Sequence, residues 1–177
     1  MSRSEPALRN GIRAAEPADV PVLLHLVREL ADYEREADAV QATEELLAAA
    51  LFEHRSCSAH VAVHSGEVVG FALWYPTFST WTGRQGMWLE DLFVRESARG
   101  SGLGRRLLET LAEVCVQRGW SRFEWWVLDW NTPAHGFYRA LGAEPQADWT
   151  TWRVDGVALA HLAARPRAHD RARFDRP

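Results

Sequence analysis

Residues 89–106 read Leu89-Glu90-Asp91-Leu92-Phe93-Val94, then Arg95-Glu96-Ser97-Ala98, then Arg99-Gly100-Ser101-Gly102-Leu103-Gly104-Arg105-Arg106. A run of strand character passes through a short polar stretch into glycines that open onto a helix. Leu103, Leu107, Leu108, Leu111, Val114 and Cys115 recur at helical spacing between Gly102 and Arg118, and Gly119 closes the helix. A strand–glycine turn–helix unit gathers unpaired backbone N–H groups at the positive end of a helix dipole, which suits phosphate oxygens. Arg99 and Arg105 add charge to its rim. The spacing is not the dinucleotide fingerprint, and Ser121 and Arg122 stand where a ribose-binding acid belongs. On the turn alone, a tight connection before a helix is as good a reading as a phosphate cradle.

The pattern alternates on both sides of this unit. Gly11–Ala15 reads as a first strand, and Pro17 opens a helix carrying Val20, Leu23, Leu24, Val27, Leu30 and Ala31. Thr43 caps a second, short helix reaching about Ala50. His60–His64, Ser65-Gly66-Glu67 and Val68–Phe78 form a hairpin with a tight turn, and Met87–Val94 is the next strand. Arg122–Trp130 is a strand. Asn131 caps a helix through Leu141 that Gly142 ends, and Trp149–Val154 is expected to close the sheet. The sum is an α/β chain with one domain over residues 11–164. Residues 1–10 and the arginine-rich tail 165–177 hold too few apolar groups to order themselves and are expected to be disordered.

Composition narrows the function. The 177 residues carry a formal charge of −4, which argues against a nucleic-acid partner, and no apolar run approaches the length of a membrane span. Cys57 and Cys115 make neither a disulfide framework nor a metal spacing, which points to the cytoplasm, and the seven histidines suggest no metal. All 20 basic residues are arginine. That excludes a Walker-type phosphate loop and a Schiff-base lysine. The acid is uneven: residues 1–53 hold 11 acids against 5 arginines. Seven acids fall between Glu29 and Glu45, most of them on a solvated helix face. Glu34 and one of Glu90 and Asp91 stand out, because β alternation puts the adjacent pair on opposite faces of a strand otherwise apolar. An unpaired charge there is costly, and a cleft lined by carboxylates concentrates cations.

Arg99-x-x-Gly102-x-Gly104 after a strand, followed by Asn131, Phe137-Tyr138 and Leu141-Gly142-Ala143, resembles the GNAT superfamily of N-acetyltransferases. Glu29–Glu34, Trp81-Thr82-Gly83, Leu89-Glu90-Asp91, Trp130-Asn131-x-Pro133 and Trp152-Arg153 are similar to its spermidine/spermine and thialysine acetyltransferase branch, from about Ile12 to Ala163. The resemblance implies a mixed, mostly antiparallel sheet of about six to seven strands flanked by about four helices. It implies acetyl-CoA as cosubstrate, held by the backbone of Phe93 and Val94, by the turn Arg99, Gly100, Ser101, Gly102, Leu103, Gly104 and Arg105, and by Asn131. It also implies a homodimer.

The expected reaction is direct acetyl transfer to a primary amine of a small cationic substrate: a polyamine, a diamine or a thialysine-like amino acid. A backbone N–H near Phe93 is placed to polarise the carbonyl. Glu90 is the candidate base, acting through water with its pKa raised by burial. By resemblance Tyr138 is the acid for the departing sulfur; pattern alone reads it as a core aromatic beside Phe137. Asn131 is likewise either a cofactor contact or a helix cap. Tyr33, Glu34, Trp81, Glu90 and Asp91 are the candidate substrate contacts, Trp81 through cation–π attraction. Thr150-Thr151 stand before Trp152 where polyamine enzymes carry acids. That counts against long polyamines and makes a smaller amine the alternative acceptor. Two other readings stand beside this one: a degenerate acetyl-CoA-binding sensor module, and a resistance-type acetyltransferase for an amine-bearing toxin.

Overall fold

The computed structural model describes residues 10–164, so the expectations for residues 1–9 and 165–177 lie outside it. The chain divides into two compact units, with the boundary between Leu128 and Asp129.

The first unit is built on a five-stranded sheet in the order β1-β2-β3-β4-β5. The strands are β1 (Gly11–Ala14), β2 (Ser58–His64), β3 (Glu67–Ser79), β4 (Arg84–Val94) and β5 (Phe123–Trp125). Neighbours are antiparallel except β4 and β5, which run parallel. Ser65 (φ 53°) and Gly66 (φ 86°) make the two-residue turn between β2 and β3, with His64 opposite Glu67. Positive φ at both turn residues matches the twist of the flanking strands.

Helix α1 (Val20–Glu34) and the short α2 (Glu44–Ala48) cover one face of the sheet, and α3 (Leu103–Gln117) covers the other. Thr43 caps α2 by accepting from the Leu46 N–H. Leu23, Leu26, Leu51, Ala59, Val61, Val63, Phe71 and Phe93 form the core under α1 and α2. Leu107 and Leu111 of α3 are fully buried. Each such side chain contributes about 2–3 kcal/mol of burial. The Arg95 guanidinium holds Glu29 of α1 at 2.7 Å, which ties that helix to the end of β4.

The second unit contains α4 (Thr132–Arg139) and α5 (Gly156–Ala164). Asn131 caps α4 by accepting from the Ala134 N–H, and Gly142 (φ 85°) follows its end.

Two strand expectations are corrected. Among the described residues the sheet has five strands, not six or seven, and Trp149–Val154 is not one of them. Strand character is realised only through pairing, and the five-stranded sheet does not include residues 149–154. The strand expected over Arg122–Trp130 is confined to Phe123–Trp125 for the same reason. Among the described residues there are five α-helices, because the alanine- and leucine-rich segment Gly156–Ala164 is helical.

Candidate active site

One irregularity in β4 organises the site. Leu73 pairs with Asp91 and Trp74 with Leu89, so Glu90 is an extra residue with no partner in β3. Such a bulge resets the alternation of side chains. Leu73 packs on the core under α1 and α2, Tyr75 shares its face, and Tyr75 pairs with Trp88. Trp88, Glu90 and Asp91 therefore all stand on that face. The expectation that Glu90 and Asp91 point to opposite faces is corrected by the bulge.

The Glu90 side chain is exposed, and its Oε2 accepts from Trp88 Nε1 at 3.1 Å and from the Tyr75 hydroxyl at 3.3 Å. Trp126 meets Trp88 edge-on, with ring centroids 4.8 Å apart. Burial pushes the Tyr75 phenol up, and Glu90 adds to the shift. Burial also raises the Glu34 carboxyl at the end of α1, with Glu36 reinforcing it. Asp91 is partly buried, and no donor reaches it among the described residues. Burial first, then Glu90 and Glu34, push its pKa up to about 6. The burial expected of a general base thus falls on Asp91, while Glu90 is exposed and held by an aromatic pair. Trp81 is not brought to this cluster. It lies in the turn beyond Ser79, five residues past Trp74, about 17 Å along the strand.

The β4–β5 ladder ends at Leu89 and Trp125, so among the described residues the outer edge of β4 from Glu90 to Val94 is open. Arg95 N–H donates to Val69, which fixes the antiparallel phase. Phe93 therefore turns its N–H and C=O toward Phe71 of β3, whereas Leu92 and Val94 turn theirs to the open edge. Of the two residues expected to hold the cofactor arm, only Val94 presents its N–H there.

The glycine turn leads from this edge to α3. Gly100 and Gly102 have φ of 77° and 80°, and a Cβ at either would meet nothing within 4 Å. The demand for glycine is conformational. Gly102 is the N-cap of α3 and offers no side chain to its first N–H groups. The Ser101 hydroxyl is spent within the turn, donating to Ala98 C=O. The Arg99 Nε donates to Val94 C=O at 3.1 Å, and its guanidinium lies over the Tyr33 ring at 4.9 Å and the Phe93 ring at 6.0 Å. Tyr33 thus meets the turn through Arg99. Arg105 pairs with Glu109 at 2.7 Å. Uncapped helix N–H groups, glycines facing open space and an open strand edge fit a phosphate-bearing cosubstrate with an amide-containing arm. Gly102→Ala is expected to cost about 1 kcal/mol of stability through its left-handed backbone, read as a lower denaturant midpoint with an unchanged slope.

In the second unit, Tyr138 is half-buried on α4, with the Phe137 ring centroid 5.3 Å away. Asn131 occupies the cap of the same helix. Tyr75, Trp88 and Trp126 are the residues that sequence reasoning did not place at the site. The available signal was the spacing of Trp88 and Glu90, two apart on one strand face.

Comparison with known proteins converges on the same reading. Residues 23–143 match the acetyltransferase (GNAT) family model. The chain is 37% identical to thialysine N-epsilon-acetyltransferase of Bos taurus, over 87% of this chain and 97% of that protein. It is 30% identical to L-ornithine N5-acetyltransferase of Arabidopsis thaliana, over 84% and 85% of the two chains. Its fold superposes on an integron cassette protein from the mobile metagenome of V. cholerae with a TM-score of 0.75 and 28% identity, over 89% of this chain and 99% of that one. The glycine turn, the open β4 edge and the match over most of the domain make this chain a member of the GNAT family and an N-acetyltransferase.

Proposed function

We propose that the protein acetylates a primary amine of a small cationic substrate, with acetyl-CoA as cosubstrate. The observation that carries this reading is the carboxylate group at the β4 bulge: Glu90 on the aromatic pair Tyr75 and Trp88, Asp91 beside it and Glu34 close enough to raise it. A partly buried acidic cluster with no donor on Asp91 favours an ammonium group. The relatives named for thialysine and ornithine share a basic amino acid as substrate, and a basic amino acid or a diamine fits this cluster better than a long polyamine.

Acetyl-CoA, when bound, supplies the acetyl thioester. Val94 N–H and the first N–H groups of α3 would hold the cosubstrate, whose carbonyl an N–H of the open β4 edge would polarise. Asn131 and the turn from Arg99 to Arg105 complete the cofactor contacts. Glu90 and Asp91 together draw the proton from the substrate ammonium, with Glu90 facing the incoming amine. Tyr138 returns a proton to the departing sulfur; its assignment rests on the likeness of Phe137-Tyr138 and its surroundings to the family. Tyr33, Glu34 and Trp81 are proposed substrate contacts, Trp81 from a position outside the β4 cluster. The family match crosses both units, which supports one acetyltransferase domain over residues 11–164. We also propose a homodimer working in the cytoplasm; no helix among the described residues is long and apolar enough to cross a membrane.

Thiol release from acetyl-CoA across a panel of amines tests the reading. Ornithine, thialysine and short diamines are expected to give kcat/KM at least tenfold above spermine. Release with none of them, despite acetyl-CoA binding, would leave a cofactor-binding module. Turnover confined to an aminoglycoside would leave a resistance enzyme.

A further inference from the structure

The end of α3 away from the glycine turn borders a cavity. The helix is 15 residues long, so this cavity lies about 22 Å from the turn. Its volume is about 300 Å3, and it sits where β1 ends and β2 begins, lined by Leu51, Phe52, His60, Trp74, Val114 and Arg118 among others.

Three polar features meet there. Trp74 Nε1 donates to His60 Nδ1 at 3.1 Å, and the two rings stack. With Nδ1 accepting, the neutral ring carries its proton on Nε2, which is its remaining donor. Burial and the nearby Arg118 push the His60 pKa down, so the ring is neutral at physiological pH. The Arg118 guanidinium lies over Trp74 at 5.3 Å and over Trp120 at 4.9 Å, and those rings meet edge-on. Trp120 is in turn fixed by donating to Gln85 at 3.2 Å. Among the described residues no carboxylate stands within ion-pair distance of Arg118. Both indoles attract this cation through their π faces, and no carboxylate competes for its N–H groups.

We propose that this cavity binds a small organic carboxylate with an apolar body. The carboxylate pairs with Arg118 and accepts from His60, while Leu51, Phe52 and Val114 receive the apolar part. An Arg fork matches a planar carboxylate, and the apolar walls select against a bare inorganic anion. The cavity holds about ten water volumes, which suits a ligand of benzoate size.

Benzoate is the probe, titrated into the full-length protein while the Trp74 indole N–H resonance is followed. Saturation with a Kd of about 1 mM or tighter is expected. Benzamide, neutral and of the same shape, should bind at least tenfold more weakly. Arg118→Gln should weaken benzoate at least tenfold, whereas Arg122→Gln, which breaks only the surface pair with Glu124, should leave it unchanged. Saturating CoA should leave the benzoate affinity within twofold. No saturable shift at Trp74, equal binding of benzamide, unchanged affinity in Arg118→Gln or competition by CoA would each overturn the proposal. The benzamide and CoA arms need no variant. None of these readouts depends on the acetyl transfer reaction.

Discussion

Tyr138→Phe is expected to lower kcat about a hundredfold while leaving acetyl-CoA affinity within about threefold of wild type. The substitution removes one oxygen from a half-buried ring on α4 and keeps its packing beside Phe137. The sulfur leaves the tetrahedral intermediate faster when it is protonated as the C–S bond breaks. Phenylalanine cannot supply that proton, so the loss falls on the chemical step and appears in kcat and kcat/KM together. Single-turnover measurement, with acetyl-CoA binding followed separately by calorimetry, separates the two effects. Turnover near wild type would remove Tyr138 from the reaction. A large loss of acetyl-CoA affinity would instead make it a cofactor contact.

The fold was legible where one period dominates. Leucines at 3.6-residue spacing between Leu103 and Leu111 place α3, and Ser65-Gly66 between two apolar runs places the hairpin. The glycine turn was legible because Gly100 and Gly102 stand at positions where other residues would be strained. The bulge was not. Trp88-Leu89-Glu90-Asp91-Leu92 reads as a continuous alternation, and the extra residue exists only because Leu73 and Trp74 of β3 skip Glu90. That decision is made by a distant strand, and it moves an acidic side chain from one face of the sheet to the other. The same dependence on partners applies to Trp149–Val154, whose β-forming residues lie outside the sheet. The place of Trp81, the candidate cation–π contact, was not legible either. A motif in sequence gives no distance, and the β3–β4 hairpin carries it away from Glu90.

The bulge also makes the two carboxylates separable by experiment. Near neutral pH the amine substrate is almost wholly protonated, so the rate depends on a base that is itself ionised. Asp91, pushed up to about 6, should impose an acid limb near pH 6 on kcat/KM. Asp91→Asn is expected to abolish that limb and lower kcat/KM about a hundredfold at pH 7. Glu90→Gln should lose a comparable factor at pH 7 but recover as pH approaches that of the free amine, where no base is required. A loss independent of pH would make Glu90 a binding group only. Stability gives an independent readout. The folded-state pKa of Asp91 lies above its unfolded value of 3.8, so its ionised form opposes folding. That penalty is absent below about pH 4, grows as pH rises and is complete above about 6. Asp91→Asn should therefore stabilise the protein at pH 8 by about 1–2 kcal/mol, an allowance made for partial solvent screening, and by almost nothing at pH 4. Chemical denaturation at the two pH values measures it. A variant that is both less active and more stable is the signature of a carboxylate kept at a cost for its chemistry. If Asp91→Asn is destabilising at pH 8, Asp91 is instead satisfied by the folded chain and is not the group that waits for the amine.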